Sequence, residues 1–346
     1  MSRTTVRART HTYPGCRASD HSNRRRRTVC DGINTYTVDS IVGSGAFGNV
    51  WKIVDNKQSI SYALKVFKRK RKRNVNAHIT SEYTYLKKTK HVNCVNLLKW
   101  HGTVMVNQYP AFIFSFYQES AYHMYTRTTI TERLCIRFGI GISNGLCKLH
   151  ELNIIHLDIK PDNIMIDSGM NAVIIDLGNA IISGQQINTY NQSRYYRAPE
   201  LLLKYDLHTT PKLDVWSAGC TIFELLLRRP LFKGSDEVAV TVRILETVDI
   251  TNDDIAICAI RSMVTTNDGR CMIYNKYTRK HMMISVRSTP LEKIQGVRME
   301  ILHLLSQCLT LSVISRLTAS DLHQALQQLQ NKIINEESSI PTSYVV

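Results

Sequence analysis

The chain has 346 residues, 43% of them hydrophobic and 21% charged, an ordinary globular balance with enough material for one large domain or two lobes and an ample core. Lys and Arg outnumber Asp and Glu by 44 to 28, a net charge of +16. No apolar run approaches the roughly eighteen residues of a membrane span, the N-terminal segment lacks the apolar core of a secretory signal, and nine cysteines without a C-x-x-C pair argue against a disulfide framework or a zinc site, so a reducing compartment is expected.

The first 35 residues read as a basic tail. Residues 1–30 carry eight arginines against one acid, Asp20, and four of those arginines are consecutive between Asn23 and Thr28. Without apolar periodicity the tail is expected to stay disordered alone. A second run, Lys68 to Arg73, places six cations in a row. Such runs read as solvated faces, or else as nuclear import signals or contacts for nucleic acid or acidic proteins. Nucleic-acid binding as the main role ranks low, since the runs lack interleaved aromatics and a reading helix.

Beyond the tail, Tyr36 to Val42 and Asn49 to Val54 have strand character around a glycine turn, and Ser61 to Phe67 continues the alternation. Helical spacing runs from Ala77 to Lys88, with Ile79, Tyr83 and Leu86 on one face. Short strands are expected at Val95 to Trp100, Thr103 to Val106 and Ala111 to Phe116. These elements make a small sheet-rich lobe, residues 36–117. A larger lobe, residues 118–330, opens with a long amphipathic helix from Thr131 to Glu151, with Leu134, Phe138, Ile142 and Leu149 inward. Ile164 to Ile166 and Ala172 to Ile175 pair as a hairpin. Leu213 to Leu227 is apolar almost all round and reads as a buried helix. Further helices are expected at Glu237 to Val248, Val297 to Leu309 and Thr318 to Gln330, the last with Thr318 as N-cap and Asp321 closing a capping-box-like signal. Residues 249–296 are poorly periodic and read as an insertion or a loop-rich segment. The segment 331–346 reads as a tail, frayed from about Ile334.

The stretch His156 to Asn163, H-L-D-I-K-P-D-N, is followed after twelve mostly apolar residues by Asp176-Leu177-Gly178. Phosphoryl transfer needs such a set: a carboxylate for the substrate hydroxyl (Asp158), a cation on the moving phosphate (Lys160), and hard oxygen ligands for Mg²⁺ (Asn163 and Asp176). Singly, Asp and Asn are common turn residues; together at these spacings coincidence is improbable. His156 reads as a packed histidine rather than an acid–base group. Upstream, Gly43-Ser44-Gly45-Ala46-Phe47-Gly48-Asn49-Val50 is a glycine turn whose backbone can approach phosphates closely. Dinucleotide folds use similar turns, but they continue into a helix, whereas a strand-like stretch follows here. Lys65 lies twenty-two residues beyond Gly43 in Y-A-L-K-V-F. Alone it would be a solvated strand lysine; after a phosphate loop it reads as the partner of the α- and β-phosphates of ATP. Glu82, otherwise an exposed helix glutamate, is its expected ion-pair partner. Val50, Ala63 and Met165 would form an apolar slot for adenine, with Phe114 closing its back, although each could equally be ordinary core.

In these motifs the chain resembles the eukaryotic protein kinase superfamily over about residues 36–330. Ala198-Pro199-Glu200 matches the end of the activation segment, Asp214 to Gly219 (D-V-W-S-A-G) the central helix of the large lobe, and Arg316 the arginine that pairs with that glutamate. The resemblance implies the bilobal α+β fold, ATP and Mg²⁺ as cofactors, and transfer of the γ-phosphoryl to Ser/Thr hydroxyls of proteins. The run Ser193 to Glu200 looks like the CMGC group of cyclin-dependent, mitogen-activated and dual-specificity tyrosine-regulated kinases, as does the long segment between Leu231 and Arg316. Thr189 to Arg194 resembles the activation loop of homeodomain-interacting and dual-specificity kinases, in which the tyrosine at the place of Tyr190 autophosphorylates. By the same resemblance Arg197 engages the loop backbone or a phosphotyrosine and favours proline after the target residue. Leu157 stands where most of the family has an arginine that clamps a phosphorylated loop, which removes one switch. Asp176 to Ala180 is similar to SR-protein kinases, and the short accessory regions fit a compact viral or parasite version. A monomer in the nucleus or cytoplasm, of the host cell if viral, is the expected form. The alternative is a pseudokinase acting as a binding scaffold, which would need none of the phosphate- and metal-handling residues that are present.

Overall fold

The computed structural model describes residues 27–45, 48–67, 73–107, 109–185, 193–203, 208–248, 270–275, 280–285, 291 and 294–338, with backbone alone for 73–78, 203, 270–275 and 280–285. Ala46 and Phe47 of the glycine turn, Tyr190 with its flanking motif, Lys68 to Lys72, most of the 249–296 insertion and all but Arg27 of the arginine run 24–27 lie outside the described residues. The chain divides into two compact units, residues 1–91 with 98–118, and residues 92–97 with 119–346.

In the smaller unit, alternating side chains build one six-stranded antiparallel sheet in the order β1-β2-β3-β4-β6-β5. Its strands are β1 (Thr28–Cys30), β2 (Thr35–Ser44), β3 (Gly48–Asp55), β4 (Ser61–Phe67), β5 (Trp100–Val106) and β6 (Tyr109–Ser115). Because side chains alternate between faces, Ile53, Leu64, Val104, Ala111 and Ile113 fall on one side and form a core with Val29 and Tyr36. The register pairs Val50 with Lys65, Lys65 with Phe112, and Ala63 with Phe114, so these five share the opposite face. Helix α1 (Arg73–Thr89) buries Ile79, Glu82 and Leu86, and its Tyr83 ring stacks on Phe112 with centroids 6.1 Å apart.

Strand β1 corrects the expectation of a disordered tail for residues 28–35, while residues 1–26 lie outside the described residues. Thr28–Cys30 pairs with Thr35–Thr37, and the Asp31 carboxylate closes the hairpin by accepting from the Ile33 and Asn34 amides and from the Tyr36 hydroxyl. The Asp31-Gly32 pair is the sequence signal for this hairpin, a common turn dipeptide.

The larger unit is mainly helical: α2 (Ala121–Arg127), α3 (Glu132–Glu151), α4 (Pro199–Leu203), α5 (Lys212–Leu227), α6 (Glu237–Thr247), α7 (Met299–Cys308) and α8 (Ala319–Ser338). Thr131 caps α3 by accepting from the Leu134 amide, and the helix buries Ile136, Phe138, Ile142, Leu146 and Leu149. Every residue of α5 from Leu213 to Leu225 is buried, as its apolar composition requires. Strands β9 (Ile164–Ile166) and β10 (Ala172–Ile174) form a small sheet with β7 (Glu119–Ser120), while β8 (Ile154–Ile155) pairs with β11 (Ile181–Ile182). Residues 92–97 belong to this unit, which corrects the strand expected at Val95 to Trp100 in the small lobe: the Asn96 side chain donates to Ala172 O at 2.8 Å and accepts from Asn144 Nδ2 at 2.7 Å.

Two further expectations are corrected here. Within the 249–296 insertion, β12 (Arg270–Asn275) and β13 (Lys280–Ser285) form an antiparallel ladder. Helix α8 also runs on through Ser338 instead of fraying near Ile334. Lys332–Glu300, Arg298–Glu336 and Arg133–Glu337 ion pairs tie its last turns to α7 and α3. At its start Thr318 and Asp321 bond reciprocally, the capping box read from sequence. Among the described residues no helix is long and apolar enough to cross a membrane.

Candidate active site

In the smaller unit the glycine turn joins β2 to β3. Gly45 N donates to Gly48 O at 2.9 Å and Ser44 Oγ to Asn49 Oδ1 at 3.0 Å. Glycine is required at 48 by space: a Cβ there would lie 2.6 Å from the Val66 carbonyl oxygen across the ladder. On β4, Lys65 Nζ donates to both Glu82 oxygens, at 2.8 and 2.9 Å, and Glu82 is 2% exposed. A strand lysine held this way is pre-oriented, because the helix carboxylate fixes the end of a flexible stem. Val50, Ala63 and Phe114 share the sheet face of Lys65, Phe114 being buried. Gly43 packs against Val50, with room of 3.6 Å for a Cβ.

In the larger unit the loop between β8 and β9 carries a connected polar set. Lys160 Nζ lies 2.7 Å from Asp158 Oδ2, and Asn163 Nδ2 donates to Asp158 O and Oδ2 at 2.8 and 2.9 Å. Ser193 Oγ donates to Asp158 Oδ1 at 2.7 Å and accepts from Lys160 Nζ at 2.7 Å. A carboxylate here already handles a serine hydroxyl, with an ammonium beside it. Asn163 spends its amide N–H groups on Asp158, and its carbonyl Oδ1 is a hard oxygen donor. Ile175 N donates to Asn163 O at 3.0 Å, tying that loop to the segment of Asp176. Asp176 has φ +66°, and its carboxylate accepts from Gly178 N. One carboxylate and one carboxamide oxygen suit Mg²⁺, which takes few protein ligands and completes its shell with phosphate and water. Met165 lies on β9, opposite Val173.

The backbone of this loop is held from beneath by Asp214 of α5, which is wholly buried. It accepts from His156 N at 2.8 Å, Leu157 N at 2.9 Å and His150 Nε2 at 3.0 Å. Leu157 has φ +64°, a left-handed conformation that a side chain of this size rarely adopts. His156 is fully buried; its Nδ1 accepts from the Asp158 amide, so Nε2 carries the proton donated to Ile175 O at 2.8 Å. A neutral ring with both nitrogens engaged positions Asp158.

Residues 36–328 match the family model of the protein kinase domain. The chain belongs to the protein kinase family. It is 36% identical over 228 residues to a probable serine/threonine-protein kinase MRK1 homolog of Encephalitozoon cuniculi (strain GB-M1), an overlap of 64% of this chain and 69% of that one. To mitogen-activated protein kinase HOG1 of Candida albicans it is 33% identical over 212 residues, 61% of this chain and 55% of the relative. To dual specificity tyrosine-phosphorylation-regulated kinase 3 of Mus musculus it is 33% identical over 208 residues, 58% and 35% respectively. The kinase thus spans about half the length of the mitogen-activated relative and a smaller share of the dual-specificity one. Both agree with the group read from Ser193 to Glu200.

The segment from Ser193 to Glu200 ends in a buried ion pair. Arg316 bonds Glu200 with both guanidinium ends, at 2.7 and 2.9 Å, and lies 5.2 Å from the Trp216 ring centroid. Arg197, expected to meet loop backbone or phosphotyrosine, pairs with Glu237 at 2.6 Å. Sequence reasoning did not single out Ser193 as a site residue, although it opens the quoted motif. It also missed Glu224, which accepts from Tyr125 and Tyr196 hydroxyls at 2.5 and 2.7 Å. Burial raises both phenols, and the Glu224 charge raises them further; burial also raises the Glu224 carboxyl, against the pull of the two hydroxyls. Sequence separations of 99 and 28 residues left no local signal for this cluster.

Proposed function

We propose that this chain is an active serine/threonine kinase that transfers the γ-phosphoryl of ATP to protein hydroxyls. The observation that carries the reading is the Asp158–Lys160–Ser193 set, a carboxylate accepting a serine O–H at 2.7 Å with an ammonium on the same oxygen. Bound Mg²⁺ and ATP would supply the phosphoryl group and neutralise charge that builds up on its oxygens. Asn163 and Asp176 would hold the metal, and Lys65, braced by Glu82, the α- and β-phosphates. Gly43 to Gly48 would offer backbone N–H groups, and Val50, Ala63, Met165 and Phe114 apolar contact for the base. Asp158 would accept and orient the incoming hydroxyl and take its proton as the oxygen attacks; Lys160 would stay by that oxygen. The protein contributes position and charge.

Tyrosine autophosphorylation at Tyr190 is a finer part of this proposal, supported by the likeness of Thr189 to Arg194 to the dual-specificity activation loop. Mass spectrometry of bacterially made protein tests it: phosphate on Tyr190 is expected, and active enzyme with none refutes it. For the main reading, Mg²⁺ with ATP should raise the melting temperature of the protein in step with ligand concentration. Asp176→Asn should lose most of that shift, and a variant that keeps it removes the metal role.

A further inference from the structure

A pocket of about 510 Å³ opens on the larger unit, away from the residues assigned to phosphoryl transfer, where α3 meets the 92–97 segment and the β9–β10 turn. Its size is in the range of specific ligand sites. Val95, Leu134 and Ile140 give it an apolar wall, and Val95 is 69% exposed. Arg133 and Arg137, one turn apart on α3, give it its charge; among its lining residues there is no carboxylate.

The two guanidiniums are positioned but not saturated. Arg137 Nη2 donates to Gly169 O at 2.6 Å and Asn171 Oδ1 at 3.1 Å, and among the described residues it has no carboxylate partner. Arg133 Nη1 holds Glu337 Oε2 at 3.0 Å, so one carboxylate of this chain already sits at the rim. The floor is rigid. Asn96 is fixed by bonds to Ala172 and Asn144, and Gly141 lies so close that a Cβ would be 2.8 Å from Asn96 Nδ2. A preformed floor lowers the ordering cost of binding.

We propose that this pocket docks a short acidic segment of a protein partner, with its carboxylates on Arg133 and Arg137 and one aliphatic side chain against Val95, Leu134 and Ile140. Charge complementarity selects this occupant: two cations and an apolar wall, with the exposed Glu337 on Arg133 as the one acid that an incoming carboxylate must displace. The proposal stands without the catalytic reading, since it concerns binding alone.

The test is fluorescence polarisation of the full chain with a labelled nine-residue peptide alternating Glu or Asp with Leu, at low and physiological salt. Arg133→Glu/Arg137→Glu should weaken binding by about tenfold or more. A charge-matched control, Lys87→Glu/Lys88→Glu on α1, should leave it unchanged, whereas replacing the peptide acids by Gln and Asn should abolish it in the wild type. Equal loss in both variants, or retention in the α3 variant, means the peptide senses overall charge and overturns the proposal, as does absence of binding. Hydrogen exchange on the wild type needs no variant. Protection by the peptide is expected over 131–141 and 169–171, and protection confined to the arginine-rich residues 1–30 contradicts the assignment.

Discussion

Removing the Asp214 carboxylate should unfasten the β8–β9 loop, which carries Asp158, from below. In Asp214→Ala the His156 and Leu157 amides, bonded at 2.8 and 2.9 Å, are left without a partner in a wholly buried place. Each stranded N–H costs about 1–3 kcal/mol. Part is recovered if Leu157 relaxes from φ +64°, since the left-handed conformation itself costs about 1–2 kcal/mol. The balance is a loss of about 2–4 kcal/mol in stability. That relaxation moves Asp158, the next residue, and a shift near 1 Å at a reacting group costs about 10²-fold in rate. Urea titration followed by tryptophan fluorescence measures the first effect, and phosphate transfer to a test protein the second. Asp214→Asn, which keeps one carbonyl acceptor, should fall between. A variant Asp214→Ala with unchanged urea midpoint and rate would refute the argument that Asp214 holds the loop.

Lys65→Met removes the ammonium held by Glu82 and should lower the transfer rate by about 10²-fold or more, and because it strands a buried carboxylate it should lower the urea midpoint as well; a rate within twofold of wild type counts against the phosphate role. Gly48→Ala must displace the Val66 carbonyl or break the β3–β4 register, so a loss of about 1–3 kcal/mol is expected in the same titration, and none would show that the turn gives way freely. Arg316→Ala leaves buried Glu200 without its bidentate partner and should cost about 3–5 kcal/mol, with a much smaller loss pointing to water entry. Glu224 gives a pH signature. Its carboxyl is raised in the folded state by burial, so the folded chain binds the proton more tightly than the unfolded one. Its stabilising contribution is therefore present in full below the ordinary carboxylate range and is lost as pH rises through the folded value. Glu224→Gln should make the slope of stability against pH more positive in that window, and an identical slope in both proteins excludes the assignment.

Where strand and helix periods were long and regular, the elements were legible from the amino-acid order: β3, β4, α3 and α5 follow the alternation or apolar runs that define them. The connected polar set of the β8–β9 loop was legible because Asp158, Lys160 and Asn163 lie within eight positions of one another. Long-range partners were not. Nothing near Asp214 announces that it holds His156 and Leu157, and nothing near Glu224 announces two tyrosines. The strand expected at Val95 to Trp100 fails for a related reason. Its residues look strand-like, but the Asn96 amide finds Ala172 and Asn144 in the larger unit, a tertiary contact that outweighs local preference. Helix α8 outlasted its apolar period because ion pairs, not burial, hold its final turns.

The most direct measurement is incorporation of labelled phosphate from γ-labelled ATP into a serine-containing test protein, by the wild type and by Asp158→Ala under saturating Mg²⁺. Robust labelling by the wild type and a loss of about 10²-fold or more in the variant, with its melting temperature little changed, is the expected result. Equal labelling by both proteins, or none by the wild type, would contradict the assignment of Asp158 as the group that receives the substrate hydroxyl.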